Sequence, residues 1–399
     1  MPRRALSLQA YLAYARAGTP APAPPVTRPE GPVVLAHGET PEQARALANM
    51  GARLAVMRPE VTLALSGDAP LQPGQIAVTL PEDGAAEAEA FARALRPELL
   101  LWAGQHLRPA LVDALYRHGT RAIAMDLSDA PLTAPGPRWL PDPVPAVLPA
   151  FEMLYANDDA AARRLRRLGS APQRIQIAGP LLDTAMPLSC PDALHEEIAG
   201  LIAGRPVWLA ARVPASEAHD VLSAHRRAVR LAHRLLLVLV PADAADSALM
   251  AETAAAMQMR VCDWENGEMP DENTQVILTR DDDELGLWYR LAPLVFLAGS
   301  LRTGASGQDP FEAASLGSAI LYGPHVRRHL PAYGALVEAG AARIVRDADS
   351  LGAAVSNLVA PDQIAAMAHA GWDVVSSGAK LVDRVIADCC EMLDAPERA

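Results

Sequence analysis

Residues 294–312 read LVFLAGSLRTGASGQDPFE. The first five, Leu294–Ala298, form an unbroken apolar run without the polar alternation of a half-exposed strand, as a strand covered on both faces requires. Gly299–Glu312 then supplies three glycines, three small hydroxylated residues, and a proline at 310 suited to the first turn of a helix. Strand, glycine-rich turn and helix in succession begin a βα unit of a parallel sheet. Such a turn offers backbone N–H groups to a phosphate, and Glu312, in the opening helical turn, can accept hydrogen bonds from a ribose. A tight connection that holds no ligand has the same spacing, so spacing alone leaves both readings open.

The same rhythm runs outward in both directions. In the C-terminal half, Val207–Ala210, Leu235–Val240, Arg260–Cys262, Val276–Thr279 and Ala319–Tyr322 read as strands. Between them Glu217–Ala232, Asp243–Met257, Glu284–Leu291 and Pro310–Leu316 read as helices. In the N-terminal half the strands are Val33–Ala36, Val61–Leu65, Ile76–Leu80, Leu99–Trp102, Ala122–Leu127, Met153–Ala156 and Ile175–Ala178, again with helical patterns between. Pro131–Pro149 carries seven prolines and reads as a long loop. The expected fold class is α/β, with two Rossmann-like, doubly wound domains facing a central cleft. Residues 1–30 are read as a proline-rich lead-in, 31–185 as the N-terminal domain and 186–399 as the C-terminal domain, whose last helix is expected to pack back on the first. Gly179–Pro191, with little periodicity, is the candidate connection.

The 399 residues suffice for two cores, and with 51% hydrophobic and 21% charged residues the chain is not disordered as a whole. Its formal charge of -12 argues against nonspecific nucleic-acid binding, which depends on Lys and Arg neutralising phosphates. The arginines at 163, 164, 166, 167 and at 226, 227, 230 read first as solvated helix faces. Cys190, Cys262, Cys389 and Cys390 show no metal-type spacing and suggest free thiols in a reducing compartment. Met1–Ala17 lacks the apolar run of a signal peptide or spanning helix, so a cytoplasmic location is expected.

At the N-terminal side, Val33–Ala36 ends in His37-Gly38-Glu39-Thr40 ahead of a helix. A carboxylate at the mouth of a sheet can be tuned toward general-base work by burial, and it can equally be a helix-start carboxylate favoured by the dipole. Asp281, Asp282, Asp283 and Glu284 read as a solvated cap rather than a Mg²⁺ site, and His325 and His329 lack a third zinc ligand, so no metal site is expected.

The segments ELGLWY (284–289), FLAGSL (296–301), GQDPFEAASLG (307–317) and ILYGPH (320–325) resemble, in order and spacing, the GELxxxY, GGSL, GG(H/Q)NPLEPA and GPH motifs of the Kdo transferases. Weaker likeness extends from about Gly31 to Lys380. The resemblance implies a GT-B-like glycosyltransferase that moves an ulosonic acid from a CMP-activated sugar to a lipid A-type acceptor, in lipopolysaccharide core synthesis. It further implies inversion, no metal, no cofactor beyond the CMP-sugar donor, and peripheral contact with the inner membrane. It assigns Glu39, the match to the family's S-x-G-E glutamate, as catalytic base, and Gly299, Ser300, Gly307, Gln308, Asp309 and Glu312 as the nucleotide site.

The sequence also departs from the family pattern. Trp102–Pro109 has no carboxylate where the family has E-x-E-L-W-P, and Pro241-Ala242-Asp243 stands where the family has the phosphate-binding P-R-H. Arg212 or Arg302 would have to supply the missing cation. No apolar anchor of the family's kind opens the sequence. Two other readings therefore stay open: a noncatalytic paralogue binding a nucleotide or partner protein, and a sugar-nucleotide epimerase or hydrolase.

Overall fold

The computed structural model describes residues 5–17, 26–137, 139–183, 188–202, 204–280, 282–358 and 361–395. It divides into two compact units, Met1–Thr184 with Ser377–Ala399, and Ala185–Ser376. The final helix, Pro361–Asp394, therefore starts in the second unit and ends in the first.

The first unit is built on seven parallel strands: β1 (Val33–Gly38), β2 (Thr62–Ser66), β3 (Ile76–Ala77), β4 (Leu99–Ala103), β5 (Arg121–Leu127), β6 (Met153–Ala156) and β7 (Ile175–Ile177). Their order is β3-β2-β1-β4-β5-β6-β7. The second unit repeats the plan with β8 (Val207–Val213), β9 (Leu236–Pro241), β10 (Val261–Asp263), β11 (Val276–Leu278), β12 (Leu294–Leu297), β13 (Ala319–Tyr322) and β14 (Ala342–Ile344). Here the order is β10-β11-β9-β8-β12-β13-β14. Strands such as β4, β9 and β12 are buried along their whole length, which accounts for their lack of alternation. In each sheet the winding reverses once, between β1 and β4 and between β8 and β12. Ligands of doubly wound sheets bind beyond the strand ends at such reversals.

Several elements differ from the sequence reading. Residues 6–17, placed there in a lead-in, form a helix whose Leu8, Tyr11 and Leu12 join the core of the first unit. The Tyr11 hydroxyl donates to Asp83 at 2.7 Å, and the same carboxylate caps the helix Pro109–Arg117 by accepting from Ala110 and Leu111. Within the proline-rich stretch, Val144–Val147 and Leu148–Ala150 form helical turns, because Pro145 and Pro149 fall in opening positions that need no N–H while Val144, Val147 and Leu148 are buried. The expected Ile76–Leu80 strand shrinks to β3, an edge strand only half buried. The helix Asp192–Leu201 and the strand β14 were not anticipated, the first burying only Ile198 and the second only Ala342, too little apolar pattern to read. Part of the proline-rich lead-in (18–25), the centre of the connection (184–187) and Asp281 lie outside the described residues.

The end of the last helix, residues 377–394, placed above in the C-terminal domain and expected to pack back on the first, falls within the first unit. Leu381, Val382, Val385, Ile386 and Cys389 share a core with Val34, Leu101 and Tyr155. At its centre the Tyr155 hydroxyl donates to the buried Asp388 carboxylate at 2.5 Å. Replacing Tyr155 by Phe leaves that carboxylate short of a partner, and is expected to lower stability by about 1–3 kcal/mol. The measurement is the urea midpoint of the first unit; an unchanged midpoint would contradict the assigned bond.

Candidate functional site

Glu39 follows β1 at the reversal of the first sheet, one residue before the helix Pro41–Met57. Thr40 and Gln43 close a reciprocal cap there, and the Gln43 side-chain oxygen accepts from the N–H groups of both Glu39 and Thr40. The Glu39 N–H also reaches Ala103 O at 3.2 Å, tying it to the end of β4. Its carboxylate is exposed and turns toward the loop after β4, where Oε2 accepts from Gln105 N at 2.6 Å and His106 N at 3.1 Å. Gly104 makes this approach feasible. Its φ is +127°, and a Cβ there would lie 2.3 Å from Glu39 Oε2.

A second layer fixes these groups. Asp126, at the end of β5 in a left-handed conformation (φ 57°) where pairing with β6 slips register, accepts from Gln43 Nε2 at 2.6 Å, Asn157 Nδ2 and Leu181 N. Its carbonyl accepts from Gln105 Nε2 at 3.1 Å. One residue thus holds both the cap before Glu39 and the loop that clasps its carboxylate. The proline-rich stretch is bound to the same loop through the Thr133 backbone, which bonds Gln105 and Leu107, and through its hydroxyl, 2.9 Å from His106 Nδ1.

His37 lies beneath, its ring centroid 4.3 Å from that of Trp102 and its Nδ1 3.3 Å from Ser66 Oγ. Burial, aided by Arg108 and opposed by Glu39, drops its pKa from the ordinary 6.5 to about 4. The imidazole beside Glu39 is therefore neutral at neutral pH.

In the second unit, the loop after β12 sits at the other reversal. Gly299 (φ 66°) and Gly307 (φ 74°) are joined by Gly307 N to Gly299 O at 3.0 Å, and Val326 fills the space a Cβ at 307 would need. The Ser300 hydroxyl is fully buried and used internally, donating to Leu297 O and accepting from Gly323 N. Gln308 donates from Nε2 to Ala211 O and Ala298 O, both at 2.7 Å, while its Oε1 is buried without a partner among the described residues. Asp309 caps Pro310–Ser315 by accepting from Phe311 N. Glu312 Oε2 accepts from Arg212 at 2.7 Å, and the Arg212 Nε donates to Asp282 at 2.6 Å.

Arg212, like Asp126, is a left-handed non-glycine residue (φ 47°) at a register slip, here between β8 and β9. Close by, the Tyr289 hydroxyl is buried without a partner among the described residues. Burial, with the carboxylates of Glu312, Asp309 and Asp282 outweighing Arg212, pushes that phenol up and keeps it protonated. The sequence-assigned residues Gly299, Ser300, Gly307, Gln308, Asp309, Glu312 and Arg212 thus gather around one loop, whereas Arg302 bonds Asp220 instead.

Residues 43–183 match the model of the 3-deoxy-D-manno-octulosonic-acid transferase (kdotransferase) family. The chain is 26% identical over 242 residues to the 3-deoxy-D-manno-octulosonic acid transferase of Haemophilus influenzae, a match covering 59% of this chain and 56% of that protein. Over these residues the chain is similar to the Kdo transferase family. It matches only about half the length of that curated relative. Among solved structures, the C-terminal CMP-Kdo binding domain of WaaA from Acinetobacter baumannii is similar at 20% identity, covering 51% of this chain and 99% of that one with a TM-score of 0.39. The calicheamicin glycosyltransferase CalG4 is similar at 13% identity, covering 92% and 100% with a TM-score of 0.47.

The segment read above as standing in place of the second acidic motif presents the backbone N–H groups of Gln105 and His106 to Glu39. Ala242 stands at the position of the P-R-H arginine, and the following Asp243 caps a short helical turn by accepting from Ala245 N. Sequence reasoning missed Gln43, Asp126 and Glu217. The Thr-x-x-Gln spacing of a reciprocal cap was legible at 40–43, but nothing in sequence marks Asp126.

The neutral His37 gives a pH test. Between 6.5 and about 4 the unfolded chain takes up a proton at His37 that the folded chain refuses, so the stability it contributes is present above 6.5 and is lost as pH falls. That loss amounts to roughly 3 kcal/mol at most. In urea titrations across this window His37→Gln should flatten the decline relative to the parent chain; parallel curves would refute a depressed His37.

Proposed function

We propose that this protein is an inverting glycosyltransferase of Kdo type, which transfers an ulosonic acid from a CMP-activated donor to a hydroxyl of a lipid A-type acceptor. In this reading a Glu39 carboxylate oxygen takes the proton of the acceptor hydroxyl as the acceptor's hydroxyl oxygen bonds to the anomeric carbon. The bond from that carbon to the phosphate breaks, and CMP leaves with the electron pair. The observation that carries the reading is the Glu39 site. An exposed carboxylate at the reversal of a parallel sheet is aimed by backbone N–H groups that engage Oε2, leaving Oε1 for a proton.

In the second unit, Glu312 is assigned to the ribose and Arg212 to the donor's anionic group, with the Tyr289 hydroxyl and Gln308 oxygen, unpartnered among the described residues, available to the ligand. A lipid acceptor requires work at a membrane face. No described helix is long and apolar enough to cross a membrane. The helix Asp159–Arg167 turns Arg163, Arg166 and Arg167 outward, and we assign these to anionic lipid.

A second reading has its own support. Arg212 and Arg302, the two replacements for the absent phosphate arginine, are both engaged by carboxylates, as expected of a noncatalytic relative that binds a nucleotide weakly or a partner protein instead. Calorimetry with CMP separates the two, micromolar binding favouring the transferase and none the noncatalytic relative.

For catalysis, Glu39→Gln is expected to lower kcat by roughly 10²–10⁴-fold with unchanged CMP affinity, as removal of a general base does. Gly104→Ala should approach that loss by displacing the carboxylate it leaves in place. Normal turnover by Glu39→Gln in an assay with CMP-Kdo and a lipid A precursor would remove Glu39 from the mechanism.

A further inference from the structure

The loop after β12 already holds an anion of its own. Glu217, in the first turn of the helix Ala215–Val229, is fully buried, and its carboxylate accepts from Gly299 N at 2.9 Å through Oε2 and from Leu301 N at 2.8 Å and Arg302 N at 3.1 Å through Oε1. A curled run of backbone N–H groups of this kind is what a phosphate would occupy. Here the carboxylate fills it. Expelling the carboxylate would leave a buried charge and three N–H groups unpaired, so a ligand does not displace it.

We propose that Glu217 is the positioning residue of the nucleotide loop: it clamps Gly299–Arg302 before any ligand arrives, and the donor's phosphate is met by side chains rather than by these N–H groups. The rest of the loop hangs from the clamped turn. Ser300, between the clamped residues, bonds Leu297, Gly323 and His325, and the Gly299 carbonyl accepts from Gly307 next to Gln308. Both Glu217 oxygens act only as acceptors. A glutamine would turn an NH₂ group toward at least one of the N–H donors, so charge and acceptor geometry are lost together.

The assignment of a nucleotide to this loop rests on the function proposed above, and the test separates the two. In Glu217→Gln and Glu217→Ala, amide hydrogen exchange should rise at least tenfold across 298–308 while β1 and β4 keep their protection. CMP affinity should fall at least tenfold. Added formate should restore part of both losses in Glu217→Ala only, because the small carboxylate refills the vacated position, which a general packing defect would not permit. If the alanine variant does not fold, Glu217→Asp, which keeps the charge one methylene short, should show the loop exchange rise in milder form. Unchanged exchange in 298–308, or faster exchange with unchanged CMP affinity, or no response to formate, would overturn the proposal. Should the parent chain bind no CMP, the nucleotide assignment falls, and the exchange and formate measurements still decide whether Glu217 clamps the loop.

Discussion

A parallel sheet covered on both faces can do chemistry only beyond the ends of its strands, and this constraint governs both units. Their central strands are buried along their length, so no functional side chain can emerge from them midway. Where winding reverses, neighbouring loops diverge to opposite faces and leave backbone groups uncovered. Glu39 meets the β4 loop at one reversal, and Arg212 and Glu217 meet the β12 loop at the other. These contacts follow from the topology as much as from side-chain identity.

Both reversals use the same two devices. Each has a left-handed, non-glycine residue at a slip in strand register, Asp126 in β5 and Arg212 in β8. Such a conformation costs of order 1–3 kcal/mol and persists only where surrounding bonds over-determine it. Asp126 accepts from three donors through its side chain, and Arg212 spans two carboxylates. Each reversal also sets a carboxylate against uncovered N–H groups. Glu39 is exposed and uses only Oε2 in this way, whereas Glu217 is buried and spends both oxygens. That difference in burial separates a carboxylate with one oxygen open to solvent from one that spends both oxygens holding a loop.

The division into strands, helices and two α/β units was legible in the sequence because the buried strands are uniformly apolar and the intervening helices periodic. The glycine-rich turn after β12 was legible through its spacing, and the place of Glu39 after β1 through the apolar run before it. What escaped reading has physical causes. The helix 6–17 is apolar around most of its circumference, and its role depends on a distant partner, Asp83. Asp126 gains its role from a backbone conformation that no residue type announces. Glu217 was read only as the start of a helix, since a glutamate early in a helix is ordinarily a favourable charge at the dipole, and nothing local shows that loop donors 82 to 85 residues away converge on it.

The pairing of Arg212 bears on how an anionic donor could be received by a chain of net charge -12. Its two partners are not equivalent: the Asp282 side chain is 46% exposed, the Glu312 side chain 20%. An exposed ion pair contributes only about 0–1 kcal/mol. A charge-assisted contact to phosphate contributes ~1.5–3 kcal/mol, so exchanging Asp282 for a phosphate oxygen is favourable even after the first bond is lost. Glu312, the less exposed partner, would stay in place and hold the guanidinium in orientation. The acidic pairing of Arg212 is therefore compatible with ligand binding. It replaces a free cation by one kept aligned, with a weak partner on the solvent side that an incoming anion can displace.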